Sequence, residues 1–252
     1  MKETNERLDT AIILAAGAGS RLSEVTETLP KTMIKVDGFS IFEHILNSLK
    51  EAGIHNVIFV VGYQSGLLVP LVEDYAEKNN ISLNIVENQR FLSTNTMYSL
   101  WLAREHLNNS FLFVHGDLIF STKMLTSFLD SPYENSILVD TQQPLDWDDA
   151  MKIIENDKML KYMSKCITTN EMDGVAVGMY KFNKHGAAVL FEIIDMLISN
   201  GTVTSWVSEA INIASKQLNI YIDKSELHAW VDVDNLDDLS MAHIVRKNME
   251  LE

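Results

Sequence analysis

"AIILAAGAGSRL", residues 11–22, sets a strand-like apolar run directly against two glycines and an arginine. Gly17 and Gly19 can take positive φ and leave backbone N–H groups bare, which suits the oxygens of a phosphate. Arg21 then supplies a planar fork of donors matched to the same group. A mere strand-ending turn would account for one glycine, but for neither Arg21 nor a loop that runs on through Pro30. Two familiar glycine loops fit poorly. A Walker loop needs Gly-Lys-Ser/Thr after four residues, and a dinucleotide fingerprint needs a small residue where Leu22 stands, with a helix directly after.

The loop ends at "LPKTMIKVDG", residues 29–38, where Pro30 stiffens the chain before Lys31 and Lys35 follows four residues later. Lys31 can reach back to the same ligand if the loop folds over the sheet edge; read alone, it is a solvated lysine.

Around this segment, apolar runs of strand length alternate with helical periodicity. "NVIFVVG" (56–62), "ISLNIVE" (81–87), "FLFVHGD" (111–117) and "SILVD" (136–140) join the opening run as strands. Helices are expected at 41–52, capped by Ser40 and closed by Gly53, and at 66–79, 95–107 and 121–130. This is the pattern of a parallel sheet covered on both faces, and ligands of such sheets bind beyond the carboxyl ends of the strands. After residue 141 the texture changes. Two short strands flank Asn156-Asp157-Lys158, "GVAVGMYKF" (174–182) is a further strand, and helices follow near 184–199 and 203–216. "LNIYID", "AWVDVD" and a helix from Leu236 close the chain. The expectation is one α/β domain over 1–252, Rossmann-like and mostly parallel in a mixed sheet. Residues 1–140 form its nucleotide-binding half, and 141–252 its acceptor-binding half with an inserted β-rich substrate or lid subregion.

A chain of 252 residues buries enough surface to fold without staples. Its formal charge of −15 disfavours nucleic acid and anionic lipid as partners. An anionic ligand would therefore need local cations or a metal, which makes the few placed Lys and Arg residues informative. The single Cys166 excludes an internal disulfide and fits a reducing compartment. "MKETNERLDT" lacks the apolar stretch of a secretory signal, and runs such as "VIFVV" are far short of a membrane span, so a cytoplasmic, soluble protein is expected.

Carboxylates supply the second half of a site. Asp117 ends an apolar run, where it can cap the next helix or face the ligand edge; Ser121 is an equally good cap. "WVDVDNLDDL" (230–239) carries Asp232 and Asp234 two apart, on one strand face, while Asp237 and Asp238 suit a helix N-terminus. One or two carboxylates plus substrate phosphates suffice for Mg²⁺. The histidines show no metal-ligand spacing, and His115 reads as a packed strand residue.

"LAAGAGSRL…PKTMIKV" resembles the signature of the nucleotidyltransferases that join a nucleoside triphosphate to a phosphorylated small molecule and release pyrophosphate. That group includes sugar-1-phosphate nucleotidylyltransferases and phosphocholine cytidylyltransferases. The resemblance implies a nucleotide held on the backbone of Leu14, Ala15, Ala16, Gly17, Ala18 and Gly19. It also implies Arg21 and Lys31 on the phosphates as catalytic cations, and Mg²⁺ held by Asp117 and Asp234, with Asp232 a further candidate ligand. "VENQRFLSTNTMYSLWLAREHL" (86–107) resembles the phosphocholine branch, where this region borders base and sugar; Asn88, Asn95 and Ser99 become candidates, although Thr94-Asn95 replaces that branch's doubled Asn. "DDAMKIIENDKMLKYMSK" (148–165) resembles the stretch of the same enzymes, phosphonate cytidylyltransferases included, that carries a substrate-facing lysine. Lys152 and Lys165 are thus candidates for the acceptor phosphate, against ordinary exposed hairpin lysines. Trp147, Tyr162, Trp206 and Trp230 could box a quaternary ammonium, with Asp173 or Glu209 as acidic partner, or could be core.

The implied activity is Mg²⁺-dependent transfer of CMP from CTP to a phosphocholine- or 2-aminoethylphosphonate-type acceptor, with a homodimer as the candidate assembly. A sister class would use sugar or polyol phosphates. A non-catalytic nucleotide-binding regulatory domain is opposed by the joint presence of Arg21, Lys31, Asp117 and Asp234.

Overall fold

The computed structural model describes residues 8–22, 27–107, 109–142, 149–225 and 229–249. β1 (Thr10–Ala15) alternates strictly: Ala11, Ile13 and Ala15 enter one apolar cluster, and Ile12, Leu14 and Ala16 the other. β4 (Asn56–Val61) and β6 (Phe111–His115) divide their side chains in the same way, so the sheet is buried on both faces. Each half of the alternation needs a helical cover. One face is covered by α1 (Ile41–Glu51), α2 (Ser65–Lys78), α4 (Thr122–Asp130) and α7 (Leu236–Met249), the other by α3 (Thr96–Ala103), α5 (Lys184–Ser199) and α6 (Val207–Ala214).

Nine strands form the main sheet, including β5 (Ser82–Glu87), β8 (Ser136–Asp140), β9 (Lys152–Asn156), β10 (Met159–Ser164), β11 (Gly174–Phe182) and β12 (Tyr221–Lys224), in the order β5-β4-β1-β6-β11-β8-β12-β10-β9. It is mixed. β5, β4, β1 and β6 run parallel, whereas β11 pairs antiparallel with β6, β8 and β9. Both halves of the chain thus contribute to one sheet, and the β9–β10 hairpin extends its edge. From β1 the chain first builds outward through β4 and β5, then returns to place β6 on the other side of β1. This reversal opens a crevice beyond the carboxyl ends of β1 and β6, where α/β sheets bind ligands.

Local sequence signals explain most boundaries. Ser40 and Glu43 form a reciprocal capping box that starts α1; Gly53, at φ 86°, ends it. Ser121, Asn95 and Asn183 cap α4, α3 and α5. The helix expected over 203–216 is shorter. Asn95 and Met97 donate backbone N–H bonds to the Val203 and Ser205 carbonyls, which hold 203–206 as an extended connector against α3. The strand expected at 218–223 begins only at Tyr221, because Leu218 N–H still closes the end of α6 on Ala214.

Candidate active site

A cleft of about 380 Å³ opens at the reversal point. Leu14, Ala15, Gly17 and Gly19 form one wall; Arg21, Lys31 and Thr32 follow, and Gly116, Asp117, Asp234 and Asn95 complete it. Gly19 has φ 61°, the left-handed turn that glycine permits. Gly17 serves differently. Its φ is not in that region, and a Cβ built on it meets nothing within 4 Å, so what it contributes is open space in the cleft. Gly116, by contrast, lies so close to β1 that its Cβ would stand 2.6 Å from the Leu14 carbonyl oxygen. Ala16 is buried beneath the loop, where its carbonyl accepts from Tyr63 N–H, and Ala18 lies in the loop outside the cleft lining.

Asp117 meets Asp232 and Asp234, more than a hundred residues on, because of one short pairing. β13 (Trp230–Asp232) runs antiparallel to β7 (Leu118–Phe120), setting Asp232 opposite Leu118, and Val233 N–H continues the ladder to the Asp117 carbonyl. The strand stops at Asp232. Asp234 is carried past its end, with its backbone N–H donated to Asp238. Lys31 extends its buried stem into this group and places Nζ 2.8 Å from Asp117, 2.5 Å from Asp234 and 3.9 Å from Asp232. Arg21 donates to the other oxygen of Asp234 at 2.6 Å and pairs with Asp149.

Burial opposes charge on Lys31, yet the Asp117, Asp232 and Asp234 carboxylates raise its pKa above the ordinary lysine value. Burial likewise opposes ionisation of Asp117, but the Lys31 ammonium holds its carboxyl down to about 2. Asp232 goes the other way: burial and then the Asp117 carboxylate push it well above the usual range.

Asp234 has both oxygens committed, one to Lys31 and one to Arg21. The open oxygens belong to its neighbours. Oδ1 of Asp117 and Oδ1 of Asp232 are buried without a hydrogen-bond partner, an arrangement that calls for a cation. With a ring nitrogen of His115 they offer three ligand atoms all within 4.8 Å of one another. The donor set fits a divalent ion, and it includes Asp232. His115, read there as a packed strand residue, does stack beside Phe113 and Tyr180, but it also reaches this cluster.

The residues expected around the base divide. Asn95 lines the cleft and caps α3 through its side chain. Asn88 is buried with its polar atoms engaged: its amide donates to Thr94 and Ser99, and its carbonyl accepts from Arg90 N–H. Asn88 and Ser99 thereby fix the shape of the 88–95 loop beneath the cleft. Among the acceptor candidates, Lys152 is buried and donates to the Lys165 carbonyl at 3.0 Å, so the two lysines meet. Lys165 Nζ lies 2.8 Å from Asp149 and 5.2 Å from the centre of the half-exposed Trp206 ring. Asp173 accepts from Glu155 N–H and orders the β9–β10 hairpin. Trp230 is core, its indole N–H bonded to buried Asp140. Trp147 lies outside the described residues. Asp149, inside the quoted "DDAMK", joins the site beside the cleft-lining Thr32 and Gly116, none of which the sequence marks; a second acidic residue in an acidic pair carries no local signal of its own.

The protein is thus an α/β fold with a crevice at the sheet reversal, where bare backbone, two cations and clustered carboxylates come together. The chain matches the Nucleotidyl transferase family over residues 10–247 and belongs to it; it is a nucleotidyltransferase. It is 25% identical over 241 residues, covering 94% of this chain and 98% of the other, to a choline-phosphate cytidylyltransferase of Streptococcus pneumoniae. Identity is 34% over 122 residues, about half of each chain, with a 2-aminoethylphosphonate cytidylyltransferase of Lancefieldella rimae. The fold is similar to that of the inositol-1-phosphate CTP transferase from T. maritima, with a TM-score of 0.77 over 97% of both chains at 21% identity. Among the described residues no helix is long and apolar enough to cross a membrane.

Proposed function

We propose that this protein transfers CMP from CTP to a small phosphorylated or phosphonate acceptor, of the phosphocholine or 2-aminoethylphosphonate type, and releases pyrophosphate. One observation carries the reading: the glycine bend, Arg21, Lys31, Asp117 and Asp234 line a single cleft, and the two cations pair there with the two carboxylates. Cytidine as the base and an aminoalkyl acceptor are supported by the names of the two cytidylyltransferase relatives above.

No protein nucleophile is needed. An acceptor phosphate or phosphonate oxygen attacks the α-phosphorus in line, a new P–O bond forms, the bond to the bridging oxygen breaks, and pyrophosphate leaves with the electron pair. Bare N–H groups of the Gly17–Gly19 bend orient the nucleotide. Arg21 and Lys31 stabilise charge on the transferring and departing phosphoryl oxygens, and Lys165, steadied by Lys152, meets the acceptor's anionic end. Asp117 and Asp232, with Asp234 and His115 beside them, would hold Mg²⁺, which when bound supplies Lewis-acid neutralisation at the phosphates.

Two aromatic candidates do not assemble into a box. Trp230 is buried away from the cleft, and the Trp206 ring already has the Lys165 ammonium near it. A primary amine, which carboxylates alone can hold, is therefore accommodated as readily as a quaternary one. The test is pyrophosphate release with Mg²⁺, each of the four nucleoside triphosphates and a panel of acceptors. Release with CTP and an aminoalkyl phosphate or phosphonate is expected. Release only with sugar or polyol phosphates would replace the acceptor class, and none with any pair would remove the catalytic reading.

A further inference from the structure

Asp149 contacts two cations that come from opposite halves of the chain. Its Oδ2 pairs with Arg21, just after the glycine bend, and its Oδ1 lies 2.8 Å from Lys165, at the end of β10. Each cation has a second partner, although Arg21 and Asp149 are half-exposed. Arg21 is held on its other terminal nitrogen by Asp234. Lys165 has its carbonyl gripped by buried Lys152 and its ammonium near the Trp206 ring, and Trp206 adjoins the connector bonded to Asn95 and Met97. Burial opposes ionisation of Asp149, but Lys165 and Arg21 together draw its pKa below the usual carboxylate value, so the bridge is ionised at neutral pH.

We infer that Asp149 is a positioning residue that sets the spacing between the triphosphate's cation and the acceptor's cation. The inference rests on the proposed transfer reaction and deepens it. Two polyanions must be brought within bond-forming distance, which their mutual repulsion opposes. One carboxylate shared between Arg21 and Lys165 keeps those two cations a single carboxylate's width apart. The pair uses one donor of each: Arg21 has five N–H donors and Lys165 three, so both keep donors for phosphate while Asp149 fixes their separation. A misplacement of about 1 Å in such an arrangement costs on the order of 10²-fold in rate.

Two measurements test this. The first needs no substrate: a thermal-denaturation cycle of Asp149→Asn, Lys165→Met and the double variant. Losses smaller in the double variant than the sum of the singles are expected, because the bridge is removed once; additive losses overturn the inference. The second uses the nucleotide and acceptor that wild type turns over. Asp149→Asn is expected to lower kcat by on the order of 10²-fold and raise the acceptor KM, while the CTP dissociation constant stays within about threefold. Asp149→Glu should recover part of the loss. Asp149→Asn that binds both substrates more tightly and turns over at least as fast would make the carboxylate an obstacle that ligands displace, and would overturn the inference. A wild type silent with every acceptor would remove the transfer reading, while the thermal cycle still decides whether the bridge exists.

Discussion

Lys31→Met removes one charge from a group in which two cations, Lys31 and Arg21, face Asp117, Asp232 and Asp234. The apolar stem is kept, so packing changes little. The formal charge of the cluster moves from −1 to −2, and three carboxylates lose an ammonium at 2.8, 2.5 and 3.9 Å. Removing one partner of a buried ion pair costs roughly 3–5 kcal/mol. Here the carboxylate side chains keep 23 to 38% of their exposure, so water relieves part of that, leaving about 2–3 kcal/mol. For a chain of this size that is a fall in Tm of about 4–12 °C. Lys31 Nζ occupies space among the same carboxylates that would hold a divalent ion. The variant should therefore bind Mn²⁺ or Mg²⁺ more tightly than wild type in the absence of nucleotide, and at about 100 times Kd the ion returns about 2.7 kcal/mol. The assay is thermal denaturation by circular dichroism at pH 7.5, with and without each ion. A loss under about 1 °C, or the same metal-induced shift in both proteins, would refute the reasoning.

Gly17→Ala should melt within a few degrees of wild type and bind CTP more weakly, since its new methyl group enters the cleft and touches no protein atom. Gly116→Ala should instead lose about 1–3 kcal/mol, because its Cβ meets the Leu14 carbonyl at 2.6 Å and the Ala15 Cα at 3.0 Å; melting curves and CTP titrations on both variants check the contrast. Lys181 provides a pH test away from the site. Burial lowers its pKa from 10.5 to about 8, with Nζ donating to the Phe128 and Ser131 carbonyls. Between those values the unfolded chain binds more protons than the folded one, so stability attributable to Lys181 rises with pH and is lost as pH falls through about 8. Urea denaturation of wild type and Lys181→Met at pH 7 and pH 10 should show the wild type gaining relative to the variant at the higher pH; an unchanged difference would contradict the assignment.

The parallel half of the fold was legible because its signals are local and agree with one another. β1 and β4 alternate between two faces, Ser40 and Glu43 announce α1, and Gly53 ends it. The Asn156-Asp157-Lys158 turn was readable as well, although its left-handed residues, Asp157 and Lys158, are neither glycine nor asparagine. What sequence could not supply was partnership. The aspartates come together through the β7–β13 pairing, whose two strands lie about half the chain apart, and no local pattern fixes that register. Asn88 and Ser99 are candidates through the resemblance of 86–107 to the phosphocholine branch; their mutual hydrogen bond, and those of Asn88 to Thr94 and Arg90, are tertiary details that no local pattern announces. Of the two uses of glycine that the loop suggests, positive φ falls to Gly19 and open approach to Gly17. Asp149 gained its role from two cations distant in sequence, which residue type alone does not disclose.

Calorimetric titration of CTP with and without Mn²⁺ reports whether the phosphate chain lies between the glycine bend and an ion held by Asp117 and Asp232. Mn²⁺ is expected to tighten CTP binding to wild type by at least about tenfold, or roughly 1.4 kcal/mol, and Asp117→Asn with Asp232→Asn to abolish the gain while the protein still folds. Equal metal-dependent tightening in wild type and the double variant would rule that arrangement out.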